Sequence, residues 1–180
     1  MKRRALIALG SNIDPDRHLP EATARLAARP QIRVLAGSGV YESPPLGRPG
    51  DPCFHNAALA VATSLPAGEL RSELRRIEAE LGRVRGEDRY APRPIDLDLA
   101  AYEGFAGEVE GTRVPDPEVP HRAFLALPLA EVAPGWREAE WGGSLEEIAA
   151  SLDPARERVR LLRGLTLGGA AGEDRAAGED

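Results

Sequence analysis

Two aspartates spaced two residues apart, Asp96 and Asp98, are the residues in this sequence best suited to chemistry. They alternate with Ile95, Leu97 and Leu99, which predicts a strand with apolar side chains on one face and both carboxylates on the other. On such a strand the Cα atoms of the two aspartates would lie about 6.6 Å apart. Carboxylates at this spacing can bind one Mg²⁺ together, or hold two ions between themselves and a polyphosphate.

A cluster of arginines directly precedes the acid pair. Within eleven residues the chain carries Arg83, Arg85, Arg89 and Arg93. Guanidinium groups bind phosphate oxygens and carboxylates bind the accompanying metal, so the pair and the cluster together indicate phosphoryl transfer. Each feature alone has a plainer interpretation, because aspartates often alternate along the solvated face of a strand and Arg-rich loops are common on surfaces. Their adjacency favours the chemical interpretation.

Composition narrows the classes to which this chain of 180 residues can belong. Its net charge of −6 and pI of about 5.2 argue against broad binding of nucleic acids or anionic membranes. Lys2 is the only lysine, which excludes a Walker A phosphate loop, and the single cysteine, Cys53, excludes an internal disulfide. The N-terminal apolar run is too short for a secretory signal and no run approaches the roughly 20 residues of a membrane span, so we expect a cytoplasmic protein.

Hydrophobic periodicity predicts alternating strands and helices as far as Tyr102. Strands are predicted over residues 5–9, 32–41 and 56–63 and through the acid pair to 102, and helices from residues 15–20 to Pro30 and over 66–81. This order is the βαββαβ pattern of ferredoxin-like folds. We therefore predict an α+β fold with a ferredoxin-like core, in which an antiparallel sheet carries its helices on one face.

The rest of the chain gives weaker signals. Residues 108–114 are consistent with part of a hairpin, and extra C-terminal helices are predicted over 121–132, where Pro128 should kink or split the helix, and over 145–152. We predict one domain over residues 1–166. The remaining residues, 167–180, are mostly Gly, Ala, Glu and Asp with little to bury, so we expect a mobile tail.

The loop of residues 43–52 contains four prolines and two glycines, which rules out regular structure. A long ordered loop in a compact domain often carries function, although a plain surface connection would have the same composition.

Six short segments share their order and spacing with a known family. They are Gly10-Ser11-Asn12, residues 43–47, Phe54-His55-Asn56, residues 82–85, residues 89–98, and Arg122-Ala123-Phe124. Through these segments, from about Leu6 to Pro134, the chain closely resembles the 6-hydroxymethyl-7,8-dihydropterin pyrophosphokinases of folate biosynthesis. The resemblance implies transfer of the terminal diphosphate of ATP to the pterin hydroxymethyl group, with release of AMP.

The resemblance also implies roles for individual residues. Asp96 and Asp98 match an acidic pair that binds two Mg²⁺, and together with Arg83 and Arg93 they form the implied catalytic set. The implied pterin-binding residues are Ser43, Pro45, Leu46, Phe54, Asn56 and Phe124, of which the two phenylalanines would sandwich the ring. The implied ATP-binding residues are Glu78, Arg85, Arg93, Leu99 and Arg122. Two Mg²⁺ ions, ATP and a reduced pterin are thus the expected ligands, and a monomer is expected.

Two positions depart from the family pattern. Tyr90 stands where many members of the family have Trp, which keeps an aromatic ring on the Arg-rich loop. Asp116 stands in Pro115-Asp116-Pro117, where the family usually has Pro-His-Pro. An aspartate near the nucleotide phosphates would repel them unless a metal or an arginine intervened. The effect of this change on ATP affinity is left open by the sequence.

Two other functions are compatible with the predicted topology. A non-catalytic ferredoxin-like regulatory domain that binds a small ligand would explain the fold and the proline-rich loop, but not an acid pair beside four arginines. An RNA-binding sheet would need exposed aromatic residues on its central strands and a basic face, neither of which the sequence offers.

Overall fold

The computed structural model describes residues 1–167, with only the backbone described for 163–165. The strands are β1 (Arg3–Ser11), β2 (Ile32–Gly37), β3 (Gly39–Ser43), β4 (Phe54–Thr63), β5 (Asp96–Tyr102), β6 (Gly107–Val109), β7 (Thr112–Val114) and β8 (Arg160–Thr166). The α-helices are α1 (Pro15–Ala27), α2 (Ala67–Glu80), α3 (Ala123–Val132) and α4 (Leu145–Ser151), with short 3₁₀ turns at Val119–His121 and Ala139–Trp141. Within residues 1–167 no helix is both long and apolar enough to cross a bilayer.

One antiparallel sheet of six strands organises the protein. Its order is β5-β1-β4-β3-β8, and β2 pairs with the part of β4 that β3 leaves free. All described pairs in it are antiparallel. This is the strand order that two interleaved βαβ units produce, and it confirms the predicted ferredoxin-like core.

The two core helices lie on one face of the sheet, as predicted. Ile7 and Leu59 of the central strands pack in one buried cluster with Leu26 of α1 and with Leu74 and Ile77 of α2. These residues recur three or four positions apart on the helices, which directs them to one side. Removing this apolar surface from water is the main source of stability for the core.

The C-terminal helices cover the other face of the sheet. Leu6 and Ala100 point away from α1 and α2 and pack with Leu129 of α3 and with Leu145 of α4. The predicted packing on one face therefore describes the core helices only. Pro128 neither splits nor ends α3, because the helix is held between the sheet and α4.

Two elements differ from the sequence prediction. The predicted strand over 32–41 is broken at Ser38, whose buried hydroxyl accepts a hydrogen bond from Ala58 N at 2.8 Å and so takes a backbone partner's place. Strand β8 was not predicted; it adds to the outer edge of β3. Leu167, assigned to the tail by sequence, is buried and its N–H donates to Ser38 O at 2.9 Å, whereas residues 168–180 lie outside the described residues.

Candidate active site

A cleft of about 810 Å³ opens at the end of the sheet where β1 finishes and where β4 and β5 begin. Two long loops, 44–53 and 81–95, and the first turn of α3 complete its walls. The predicted site residues that line it are Ser43, Pro45, Leu46, Phe54, Asn56, Arg93, Asp96, Asp98, Arg122 and Phe124. The fold therefore brings most of the predicted pterin, metal and phosphate residues into one cavity.

The acid pair stands on β5 opposite small residues of β1. Asp96 pairs with Gly10, and Asp98 pairs with Ala8. A Cβ atom at Gly10 would lie 3.7 Å from both Asn56 Oδ1 and the ring of Phe54, so a larger side chain would enter the cleft. Gly10 thus keeps the floor of the cleft open, a contribution that its place in the Gly-Ser-Asn segment did not reveal.

Asp96 is held by two arginines. Its Oδ1 accepts a short hydrogen bond from Arg83, and its Oδ2 accepts one from Arg93 Nη1 at 3.2 Å. Burial opposes ionisation of this carboxyl, but the attraction of Arg83, its hydrogen bond and the charge of Arg93 outweigh burial and lower its pKa. Asp96 is therefore an anion whose oxygens are neutralised by groups that could equally bind phosphate.

Asp98 has a different environment. Its pKa is raised to about 7, because burial and, to a smaller extent, the neighbouring charge of Asp96 disfavour the ionised form, while the charge of Arg71 opposes the rise. Arg71 Nη2 lies 3.5 Å from Asp98 Oδ1, and 41% of the Asp98 side chain remains exposed to the cleft. A carboxylate destabilised by a second carboxylate gains from a cation bound to both, which is the situation at two-metal sites.

Glu78 lies beneath the acid pair as the anchor of two further arginines. It is 1% exposed, and it accepts hydrogen bonds from Leu97 N at 2.7 Å, from Arg83 at 3.0 Å and from Arg85 at 2.6 Å. Burial raises its pKa, and these donors act against the rise. The side chains of Arg83 and Arg85 thus point to Glu78 and do not line the cleft in this conformation.

The aromatic part of the cleft adjoins the acid pair, because the guanidinium carbon of Arg93, which is hydrogen-bonded to Asp96, lies 5.8 Å from the centre of the Phe54 ring. Phe54 begins β4 and Phe124 lies in the first turn of α3, and both rings line the cavity. Asn56 donates from Nδ2 to Tyr41 O at 3.1 Å and to Ser43 Oγ at 2.8 Å. Its amide is thereby oriented, and its Oδ1 is left to accept a hydrogen bond from a ligand.

Two predicted ATP-binding residues are placed differently from each other. Arg122 lines the cleft and is paired with Glu118 at 3.2 Å. The side chain of Leu99 is fully buried in the core between the sheet and α2, so the structure does not bring it to the cleft.

Arg89, a member of the predicted arginine cluster, also lines the cleft, as do three residues to which the sequence assigned no binding role: Tyr90, Asp116 and Glu118. The departure of Asp116 from the family pattern was the only signal for that position. Asp116 N donates to Ala100 O at 2.9 Å, which fixes this acid beside the β5 end of the cavity.

The two long loops touch each other across the mouth of the cleft. Arg48 forms an ion pair with Asp88. A Cβ atom at Gly47 would lie 2.5 Å from Tyr90 Cγ, so only glycine allows this approach. The two loops therefore form a joint cover over the site.

The chain also matches known proteins. The family model "7,8-dihydro-6-hydroxymethylpterin-pyrophosphokinase (HPPK)" matches residues 6–134. A 2-amino-4-hydroxy-6-hydroxymethyldihydropteridine pyrophosphokinase of Methylorubrum extorquens is 45% identical over 158 residues, which are 87% of this chain and 98% of that protein. The protein of the same name from Bacillus subtilis is 36% identical and covers 91% of this chain and 92% of its own length.

Solved structures agree on the fold. A Plasmodium falciparum HPPK-DHPS crystal structure with pterin and p-hydroxybenzoate superposes with a TM-score of 0.62 at 12% identity. The superposition covers 83% of this chain, which spans only 42% of that longer one. With the family model across most of the chain and relatives of nearly equal length, the chain belongs to the 7,8-dihydro-6-hydroxymethylpterin-pyrophosphokinase family.

Proposed function

We propose that the cleft holds a reduced pterin at its aromatic part and ATP at its acidic part, with the pterin hydroxymethyl oxygen facing the β-phosphorus. The overall activity is that of the family: the chain is a pyrophosphokinase of folate biosynthesis with ATP as co-substrate. The observation that carries the arrangement is a single cavity lined by Asp96 and Asp98 and by Phe54, Asn56 and Phe124.

The aromatic part suits a flat heteroaromatic ring. Two aromatic side chains can stack on the two faces of such a ring, and each stacked pair adds about 0.5–1.5 kcal/mol beyond the burial of apolar surface. The free Oδ1 of Asn56 can accept a hydrogen bond from an amino or ring N–H at the pterin edge. Ser43, at the end of β3, and the exposed Leu46 of the covering loop line the same cavity and can contact this edge.

The acid pair suits Mg²⁺ with few protein ligands. Within residues 1–167 no three His, Cys, Asp or Glu side chains gather as a metal site. Two carboxylates that line a cleft fit an ion that takes its other oxygens from water and from substrate phosphates. When bound, Mg²⁺ would neutralise and orient the polyphosphate. We propose two such ions because the resemblance to the family implies two, whereas the spacing of the carboxylates by itself is compatible with one ion or two.

The arginines supply the positive charge for the phosphates. Arg83 and Arg93 neutralise Asp96, and Arg85 neutralises Glu78. Arg83 and Arg93 could turn from Asp96 to the phosphate oxygens of ATP if Mg²⁺ took their place at this carboxylate, and Arg85 could turn there from Glu78. Arg122 lies on the same cleft and can contact the nucleotide in the same way.

The chemical step needs little covalent help from the protein. The hydroxymethyl oxygen forms a bond to the β-phosphorus as the bond from that phosphorus to the oxygen bridging it to the α-phosphorus breaks, and AMP leaves with that oxygen. The hydroxyl proton passes to solvent or, as a secondary proposal, to Asp98. Alignment and charge neutralisation are the main contributions expected from the enzyme.

A product assay tests this function. Purified protein is incubated with Mg²⁺, 6-hydroxymethyl-7,8-dihydropterin and either ATP or GTP, and the nucleotide products are separated. We expect AMP in a 1:1 ratio to pterin diphosphate, with ATP preferred. ADP, or no nucleotide product, would refute the proposal. We further propose that the protein acts as a monomer in the cytoplasm. The alternative of a regulatory ligand-binding domain is not favoured by the family match.

A further inference from the structure

Arg71 of α2 is an unusual residue for the position that it occupies. It is 3% exposed and lies on the buried side of a helix that otherwise packs Leu70, Leu74 and Ile77 into the core. A buried guanidinium is costly unless its donors are bonded. Its Nε is buried and has no partner among the described residues. The contacts of the other two guanidinium nitrogens, Nη1 and Nη2, must therefore offset the cost of burying Arg71.

Those two nitrogens reach the acid pair. Arg71 Nη1 donates to Leu97 O at 2.7 Å, and Nη2 lies 3.5 Å from Asp98 Oδ1. Leu97 is the residue between Asp96 and Asp98. One side chain thus contacts both the peptide that links the two aspartates and one of the carboxylates.

The other backbone group of Leu97 is bonded from the same helix. Leu97 N donates to Glu78 Oε1 at 2.7 Å, and Glu78 lies seven residues after Arg71 on the same face of α2. β5 is the terminal strand in the described sheet and has β1 as its neighbour on one side. Every second residue of an edge strand directs its N–H and its C=O to the open side, where no strand pairs with them. At Leu97 the side chains of Arg71 and Glu78 form the two hydrogen bonds that a neighbouring strand would otherwise provide.

We propose that Arg71 is a positioning residue for the acid pair, which acts by holding the Leu97 carbonyl while Glu78 holds the Leu97 amide. The bonds fix the two peptides that carry Asp96 and Asp98, and so fix the distance and direction of the carboxylates toward the cleft. The proposal rests on the proposed metal-binding role of the pair. Displacement of a bound phosphate by about 1 Å can cost about a hundredfold in rate, so such fixation matters.

Because Arg71 is charged, a positioning role and a purely electrostatic role predict opposite changes in cation binding when Arg71 is removed. A guanidinium beside a cation site repels the cation, so loss of the charge alone would strengthen cation binding. Loss of positioning has the opposite effect, because a carbonyl left unpaired in the interior costs as much as a lost hydrogen bond and lets the strand shift. Weaker cation binding after removal of Arg71 would therefore report on geometry.

The test compares Arg71→Met and Arg71→Lys with the wild type and with the control Arg76→Met, whose side chain is 67% exposed on the same helix. Binding of Mn²⁺ in the presence of an ATP analogue with an α,β-methylene bridge is followed by electron paramagnetic resonance at pH 8.5. Amide hydrogen exchange of Leu97 is followed by NMR without metal, with Ala58 at the centre of the sheet as reference.

We expect Arg71→Met to weaken Mn²⁺ binding about tenfold, in line with the loss of one buried hydrogen bond at the Leu97 carbonyl. Leu97 exchange should speed up at least about tenfold relative to Ala58, because a strand freed at this carbonyl holds the Leu97 N–H less firmly against Glu78. Arg71→Lys can reach only one of the two partners, and we expect about a threefold loss of Mn²⁺ affinity. Arg76→Met should match the wild type in both measurements.

Three results would overturn the proposal. These are unchanged or tighter Mn²⁺ binding by folded Arg71→Met, a rise in exchange that is equal at Leu97 and Ala58, or, if Arg71→Met fails to fold, behaviour of Arg71→Lys like the wild type. Leu97 exchange needs no metal, so it tests the positioning role of Arg71 independently of cation binding. Failure of the wild type to bind Mn²⁺ with the analogue would instead refute the proposed function.

Discussion

Replacement of Arg83 by alanine separates rate from binding most clearly. Arg83 contacts Glu78 at 3.0 Å, Ile95 O at 3.2 Å and Asp96. If Arg83 turns to the phosphates during the reaction, its contact strengthens as charge moves in the transition state, so its loss should lower kcat more than it weakens ATP binding.

The expected magnitudes follow from what Arg83 touches. Loss of one preorganised donor to developing charge typically costs about 10²–10³ in kcat. ATP affinity should change by less than about tenfold, because Arg85, Arg93 and Arg122 remain. Stability should fall by about 2–3 kcal/mol, since an ion pair with Glu78 is lost in which the side chains are 11% and 2% exposed. That loss corresponds to a decrease in Tm of about 5–10 °C.

Single-turnover kinetics with enzyme in excess over pterin measures the chemical step directly, and equilibrium binding of the ATP analogue measures affinity. Arg76→Ala provides the control, because among the described residues Arg76 pairs only with Glu73, three residues before it. An unchanged single-turnover rate in Arg83→Ala would refute the reasoning. So would a loss of ATP affinity as large as the loss of rate, because Arg83 would then act equally in ground state and transition state.

Three further predictions concern the aromatic pocket and the loops. Phe124→Ala should weaken pterin binding by about tenfold or more while ATP binding stays unchanged, and equal pterin affinity by calorimetry would exclude the stacking role. Gly47→Ala should separate the two loops, because its Cβ would overlap Tyr90, and should raise the KM of both substrates with little change in Tm. Amide exchange over residues 44–52 and 83–94 should slow when both substrates are bound, and exchange that ignores the ligands would argue against closure.

Much of the fold could be predicted because local pattern and global packing agree. The alternation through Asp96 and Asp98 gave strand β5, and the spacing of Leu70, Leu74 and Ile77 gave helix α2. Strand β8 escaped prediction, because its partner β3 lies more than a hundred residues earlier and the segment does not alternate. The break at Ser38 also escaped, because it depends on a hydroxyl that bonds to a distant strand.

The site could be predicted as a set of residues but not as a network. The sequence placed the acids, the arginines and the phenylalanines by type and order, and one cleft contains most of them. The sequence could not reveal that Arg83 and Arg85 form ion pairs with Glu78, or that Arg71 donates a hydrogen bond to Leu97 O. These contacts depend on how α2 packs against β5. Two opposite charges seven residues apart on an apolar helix face were the only available signal.

The central claim is that Asp96 and Asp98 hold divalent cations on which ATP is aligned. A crystal structure with Mg²⁺, the α,β-methylene analogue of ATP and 6-hydroxymethyl-7,8-dihydropterin tests it most directly. We predict oxygens of both aspartates at about 2.0–2.1 Å from Mg²⁺, with Arg83 and Arg93 moved from Asp96 to the phosphates. A complex with substrates in place, in which both aspartates keep their arginine partners and no cation touches them, would contradict the account.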